Sequence, residues 1–315
     1  MHSSSENPIK RFIESQGVII LDGGLATALE ARGHKLDDEL WSAKILLESP
    51  AAIKWVHLDY LIAGADCITT ASYQASLTGF SKHGFSDQEG ADLLRRSISL
   101  AIEARHIFWS EHINRLSRIK PLVAASVGPY GAFLADGSEY TGRYDKDEQG
   151  LRNFHEKRWQ ILADSQADLL ACETIPSGRE AGVLLNLLRD TPGRWAWLSF
   201  SCRNGTELND GSRLVDAVRD CDNEPQVAAV GINCTPPEHI PSLIREARKA
   251  TEKPVFVYPN TGERYNPVQK TWLGRPGANW EEAVQEWKKS GAAGIGGCCR
   301  VGPQDITAMR RWLIT

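Results

Sequence analysis

Apolar residues along this chain fall into short unbroken runs, separated by longer stretches with helical spacing. The first run is Val18–Leu21, followed at once by Asp22-Gly23-Gly24. Pro50 opens a helical pattern carried by Ile53, Val56, Leu58, Leu61 and Ile62 and closed by Gly64. Ala65–Tyr73 reads as a second strand, Asp87–His112 as a long helix, Leu122–Val127 as a third strand and Asp147–Gln166 as the next helix. The unit then recurs. Strands are expected at Ala167–Thr174, Trp195–Cys202, Val227–Thr235, Pro254–Tyr258 and Ala292–Arg300. Helices are expected at Arg179–Arg189, Leu214–Asp220, Pro236–Ala250, Trp280–Lys289 and Gln304–Leu313. A short helix over Asn7–Gln16, with Pro8 suited to its first turn, precedes all of this.

Strands that are apolar throughout, rather than on alternate residues, suit parallel strands covered on both faces. Eight of them alternating with helices predict an α/β fold, a (β/α)8 barrel. A doubly wound sheet is the alternative, but Leu21–Ala26 holds neither a G-x-G-x-x-G nor a Walker loop. With no low-complexity linker, residues 1–315 are expected to form one domain, with 1–17 as an N-terminal cap beneath the barrel.

Composition narrows the setting. The 315 residues carry a net charge of −4 and no Lys/Arg run, so nothing predicts nucleic acid or anionic lipid as a partner. Seven cysteines, an odd number, argue against a disulfide framework and for a reducing compartment. The polar N-terminus lacks the apolar core of a signal peptide, and no run approaches the roughly 20 apolar residues of a membrane span. The expected location is cytoplasmic.

The last apolar run ends A-A-G-I-G-G-C-C-R, residues 292–300. Two glycines before Cys298 and Cys299 free the backbone from strand geometry, so that neighbouring sulfurs can turn to one point. Cys234 ends a similar run, V-A-A-V-G-I-N-C. Three thiolates on two strand ends suggest a Zn²⁺ site with one open position. The competing reading is that these are merely small buried residues. Cys67 and Cys172 sit within strand runs, whereas Cys202, at a strand end, is a rival ligand. No H-E-x-x-H or Ser/His/Asp signature supports a hydrolase.

Other polar residues collect at the same strand ends: Asp22, Tyr73, Glu173, Asn233 and Asn260. Active sites of barrels lie there. Asp22 could equally be a turn residue, and Asn233 and Asn260 could bond loop backbone. Trp41 and Tyr73 could be packing residues. Three thiolates leave Zn²⁺ electron-rich, which favours holding an incoming thiol as thiolate over activating water. The implied chemistry is alkylation of a small thiol by a positioned donor. A thiol with an amino-acid tail would place its ammonium on Asp22 and Glu173 and its carboxylate on amides near Gly23-Gly24.

These residues resemble the homocysteine S-methyltransferases, especially the short S-methylmethionine-dependent branch. The likeness runs through L-D-G-G-L-A-T-A-L-E (21–30), L-W-S-A-K (40–44), H-L-D-Y (57–60), T-A-S-Y-Q-A (70–75), S-V-G-P-Y-G-A (126–132) and L-A-D-G-S-E-Y (134–140). It continues through L-L-A-C-E-T (169–174), G-I-N-C (231–234), V-Y-P-N-T-G-E (257–263) and G-G-C-C-R (296–300). The resemblance implies a (β/α)8 barrel, catalytic zinc on Cys234, Cys298 and Cys299, and homocysteine on Asp22 and Glu173. It implies that Tyr73 and Asn233 line the same pocket, with Trp41 helping to shape it. The expected donor is S-methylmethionine or S-adenosylmethionine. A chain ending at Thr315 is expected to lack folate or cobalamin modules, and the C-terminal arm of the betaine-using branch. Betaine as donor, selenocysteine as acceptor, and a zinc or thiol sensor without turnover are the alternatives; monomer and dimer are both open.

Overall fold

The computed structural model describes residues 6–34, 42–266, 271–273 and 279–314. Ten strands are present among them: β1 (Ile19–Ile20), β2 (Cys67–Thr69), β3 (Leu122–Val127), β4 (Leu169–Ile175), β5 (Ala196–Phe200), β6 (Val227–Asn233), β7 (Val255–Tyr258), β8 (Arg264–Asn266), β9 (Thr271–Leu273) and β10 (Ala292–Ile295). Eight form one parallel sheet in the order β1-β10-β7-β6-β5-β4-β3-β2. The ends meet through a parallel bridge between Leu21 and Cys67. There the Asp66 amide donates to Ile20 O at 2.7 Å and the Asp22 amide to Cys67 O at 3.1 Å. The sheet is thus closed into the expected (β/α)8 barrel. The antiparallel hairpin β8–β9 is an insertion after β7.

The apolar runs behave as their pattern requires. Every residue of β3, β4, β5, β6 and β7 is buried, because helices cover one face and the barrel interior the other. The outer layer is built on Val123, Ala125, Leu170, Leu198, Val230 and Val257 against the helices. The inner layer comprises Ile19, Leu21, Leu122, Ala124, Leu169, Ala171, Trp197, Ala229 and Phe256. Ile9 and Phe12 belong to this inner cluster. The helix Lys10–Gln16 that carries Phe12 ends at Gly17 with φ 72°, a left-handed cap that glycine adopts without strain. Asp66 fastens the same end. Its carboxylate accepts from the Ile20 amide (3.1 Å), Gln16 (2.6 Å), Arg118 (3.0 Å) and Arg310 (2.9 Å), which gives a fully buried charge the partners it requires.

The structure departs from the sequence reading where polar residues or glycine end a strand. The second strand stops at Thr69 rather than Tyr73, because Thr70 and Ser72 bond each other and the Ser72 hydroxyl donates to Ser126 O at 2.7 Å. The last strand stops at Ile295, so Gly296 through Arg300 form a loop rather than strand. The expected helix Asp87–His112 is two helices, Asp87–Ser110 and His112–Ser117, broken by an extended Glu111. Helices Leu25–Ala31, Ser42–Glu48 and Leu77–Lys82, and the hairpin, lie in connections that the run pattern leaves blank.

Phe12→Ala removes a fully buried ring at the end of the barrel away from the strand termini. It is expected to cost about 3–5 kcal/mol in urea unfolding, with metal content and kcat/KM unchanged. A loss of activity without loss of stability would contradict a purely structural role for Phe12.

Candidate active site at the carboxyl ends of the strands

Cys234 follows β6 directly, while Cys298 and Cys299 lie three and four residues past β10, beyond Gly296-Gly297. The three sulfurs converge: all lie within 4.8 Å of one another. Cys234 and Cys298 are joined as a disulfide with Cα atoms 5.6 Å apart. Cys299 Sγ stands 3.8 Å from Cys234 Sγ and 3.9 Å from Cys298 Sγ. Cys202 is not in the group; it is buried, and its amide donates to Thr235 Oγ1 at 3.0 Å. Burial, with Glu139 nearby, pushes the Cys299 thiol up to about 12, while the Tyr140 side chain bonds it. A thiol held so firmly ionises only with a strong counter-charge beside it.

The loop that aims the adjacent cysteines is built on glycine. A Cβ on Gly297 would lie 2.2 Å from Val301 Cγ1, and one on Gly296 would lie 2.7 Å from Asp22 O. The facing loop after β1 is equally close: a Cβ on Gly23 would meet Val301 O at 2.5 Å and one on Gly24 would meet Cys298 O at 2.8 Å. Backbone bonds lock the pair. The Gly297 amide donates to Asp22 O (3.0 Å), the Gly24 amide to Val301 O (2.9 Å) and the Cys298 amide to Pro259 O (2.9 Å). Of the amides near Gly23-Gly24 expected to meet a substrate carboxylate, that of Gly24 is thus already engaged. Cys234, Thr174 and Arg300 are non-glycine residues held at positive φ (46°, 62° and 71°), all at this end of the barrel.

Asp22 and Glu173 enter the same mouth. Asp22 is buried and accepts from the Thr69 amide at 2.7 Å and the Thr69 hydroxyl at 3.1 Å. Burial, and then the nearby Glu173, raise its carboxyl well above the usual range. Glu173, near the end of β4, is bonded by the Ser126 and Tyr258 hydroxyls. Tyr258 is held in turn by the Trp197 indole N–H at 2.9 Å. Burial lifts Glu173 to about 7. Two carboxylates so deprived of water favour a cation between them. Tyr73 sits in the loop after β2, its hydroxyl bonded to Thr174. Asn233 accepts from the Thr174 amide and donates to the Thr174 hydroxyl, both at 2.7 Å, which consumes its amide and holds Thr174 in its left-handed conformation. Asn260 likewise bonds loop backbone, accepting from the Gly262 amide at 2.9 Å. Trp41 lies outside the described residues. Sequence reasoning did not single out Thr69, Ser126, Tyr258 or Glu139. Ser126, polar inside the apolar run L-V-A-A-S-V, was the clearest available signal.

A family model described as homocysteine S-methyltransferase matches residues 19–313. The chain belongs to the homocysteine S-methyltransferase family. Homocysteine S-methyltransferase YbgG of Bacillus subtilis is 50% identical over 307 residues, covering 97% of this chain and 98% of its own. A selenocysteine Se-methyltransferase of Brassica oleracea is 45% identical, covering 96% of this chain and 90% of its own. The crystal structure of the homocysteine methyltransferase MmuM from Escherichia coli in its metallated form superposes with a TM-score of 0.88 at 41% identity, covering 97% of this chain and 99% of that one. The oxidized form of MmuM gives the same TM-score at 42% identity and the same coverage. This homocysteine S-methyltransferase is therefore an enzyme of methyl transfer to homocysteine, which displaces the reading of its cysteines as a sensor without turnover. No helix among its described residues is long and apolar enough to cross a membrane.

The raised Glu173 carboxyl has a consequence for stability. Unfolded, the group titrates near its ordinary 4.5; folded, near 7. Between these values the folded state holds the extra proton, so this group's contribution weakens folding as pH rises through the window. In the metal-free enzyme, Glu173→Gln relative to wild type is expected to gain about 1–3 kcal/mol at pH 8 over its value at pH 5. Urea unfolding at the two pH values measures it; a pH-independent difference would return Glu173 to the ordinary carboxylate range.

Proposed function

We propose that this enzyme transfers a methyl group from S-methylmethionine to homocysteine on a zinc ion held by Cys234, Cys298 and Cys299, yielding two methionines. The observation that carries the reading is the convergence of three sulfurs from two loops, with Cys299 3.8 and 3.9 Å from its partners. A tetrahedral zinc with Zn–S of ~2.3 Å has sulfur–sulfur edges of about 3.8 Å. The donor set is all thiolate, which suits zinc and leaves a fourth position for a substrate sulfur. Reduction of the Cys234–Cys298 bond frees the two remaining ligands. Bound zinc supplies the lowered thiol pKa that keeps the homocysteine sulfur ionised at neutral pH.

The chain's own residues do the rest. Asp22 and Glu173 hold the homocysteine ammonium, and the Thr69, Ser126 and Tyr258 bonds fix the two carboxylates for it. Tyr73 helps shape the pocket, a role expected of Trp41 as well, with Gly23 giving the close approach of the first loop and Asn233 holding Thr174 beside Glu173. In the transfer the donor's S–CH3 bond breaks and its electron pair stays on sulfur, while the acceptor sulfur forms the new bond. The thiol proton has already left to solvent. Selenocysteine as acceptor is the second reading, favoured by the likeness to the Brassica enzyme.

A donor panel of S-methylmethionine, S-adenosylmethionine and betaine at fixed homocysteine tests the assignment, with S-methylmethionine expected to give the highest kcat/KM. Exchange of homocysteine for selenocysteine tests the acceptor. Under reducing conditions the wild type is expected to hold about one zinc per chain; Cys298→Ala is expected to lose it, and to lose activity by about a thousandfold or more, with its circular dichroism unchanged. Full activity in Cys298→Ala would remove the cysteine from the site.

A further inference from the structure

The loop after β3 carries a carboxylate that the reaction scheme does not use. Helix Tyr130–Leu134 leads through Gly137, at φ 87°, into the short turn Ser138–Tyr140, and Glu139 is its middle residue. Its backbone is pinned. A Cβ on Gly131 would lie 2.5 Å from Glu139 N, and the Ser201 hydroxyl donates to Glu139 O at 3.3 Å. The Glu139 carboxylate lies close enough for its charge to act on the Cys299 thiol and the Tyr73 hydroxyl.

Glu139 differs from the other acids of this end in one respect. Asp22 is bonded by Thr69, Glu173 by Ser126 and Tyr258, Glu180 by His155 and Tyr144, and Glu263 by Thr261 and Arg300. Among the described residues, Glu139 Oε2 is buried and has no hydrogen-bond partner. A buried carboxylate oxygen left unbonded costs free energy on the order of a few kcal/mol, which a rigid loop keeps only where something else completes it. Among the described residues, the groups acting on it are its own backbone amide and Asp136, and neither is a cation.

We propose that Glu139 binds the positive charge of the methyl donor. Asp22 and Glu173 take the acceptor's ammonium from the side of β1 and β4; Glu139 comes from the β3 loop, where its charge acts on Tyr73 and Cys299, leaving it for the second, donor molecule. S-methylmethionine carries both an ammonium and a sulfonium, so a carboxylate there attracts it, and an N–H of its ammonium supplies the missing bond to Oε2. The assignment rests on the donor reading above to the extent that the donor is an onium compound.

Glu139→Gln keeps shape and removes charge. Its KM for the donor is expected to rise about tenfold or more, with KM for homocysteine within about twofold and zinc content unchanged. Glu139→Asp is expected to recover part of the donor affinity. A donor KM within about twofold of wild type, a parallel rise in both KM values, or a loss of zinc would overturn the proposal. The measurement uses whichever donor of the panel the wild type turns over. S-methylmethionine inert with wild type would refute the donor reading alone, because S-adenosylmethionine and betaine also carry the positive charge that Glu139 is to meet.

Discussion

The close approach of two glycine loops is the constraint on which the rest of the active site depends. Gly23 and Gly24 leave the first strand, Gly296 and Gly297 leave the last, and each pair sits where a Cβ would strike the backbone or side chains around the other. The contact joins the two ends of the chain's barrel and turns Cys298 and Cys299 out of strand geometry. In a regular strand adjacent cysteines would face opposite sides. Here both sulfurs lie within reach of Cys234, which itself adopts a left-handed backbone at the end of β6. Strain of this kind at three non-glycine residues, Thr174, Cys234 and Arg300, is sustained because side chains and neighbouring strands fix the backbone around them. Asn233 does so for Thr174, and the Arg300 side chain is tied to the buried Glu263.

Around that centre the barrel mouth is acidic and poorly hydrated. Asp22, Glu173 and Glu139 all titrate above the ordinary carboxylate range, mainly because burial disfavours their charged forms. Buried carboxyl groups of this kind are stabilised in their charged form by a cation placed beside them. The opposite end is different in kind. There the buried Asp66 side chain is bonded to Arg118, Arg310 and Gln16, a structural knot with no vacant acceptor. The two ends illustrate how the same residue types serve stability when saturated with partners and recognition when left short of them.

Behind the β3 loop, a buried chain of polar groups gives that loop its shape. Arg158 donates to the Gly128 carbonyl and to His155, His155 bonds Glu180 at 2.8 Å, and Glu180 accepts from the Tyr130 amide at 2.6 Å. Gly128 in turn presses on Tyr73, where a Cβ would lie 2.4 Å from the Tyr73 carbonyl. The position of Tyr73 and the path of the chain toward Glu139 thus trace back to a network well outside the pocket.

Much of this was legible in the order of residues. Unbroken apolar runs such as L-V-A-A-S-V and V-A-A-V-G-I-N can only be parallel strands covered on both faces, and their number gave the barrel. Because barrels present their strand ends on one side, Asp22, Glu173, Cys234 and the adjacent cysteines could be assigned to one site from their positions after those runs. What the sequence could not yield were facts of approach across space. Tyr258 and Ser126 on Glu173, Asn233 clamping Thr174, and the Gly24 amide already engaged by Val301 all join segments tens to hundreds of residues apart. Periodicity reports which face of an element is buried, but hydrogen bonding is set by distances of a few tenths of an ångström between elements, and those exist only once the barrel has closed.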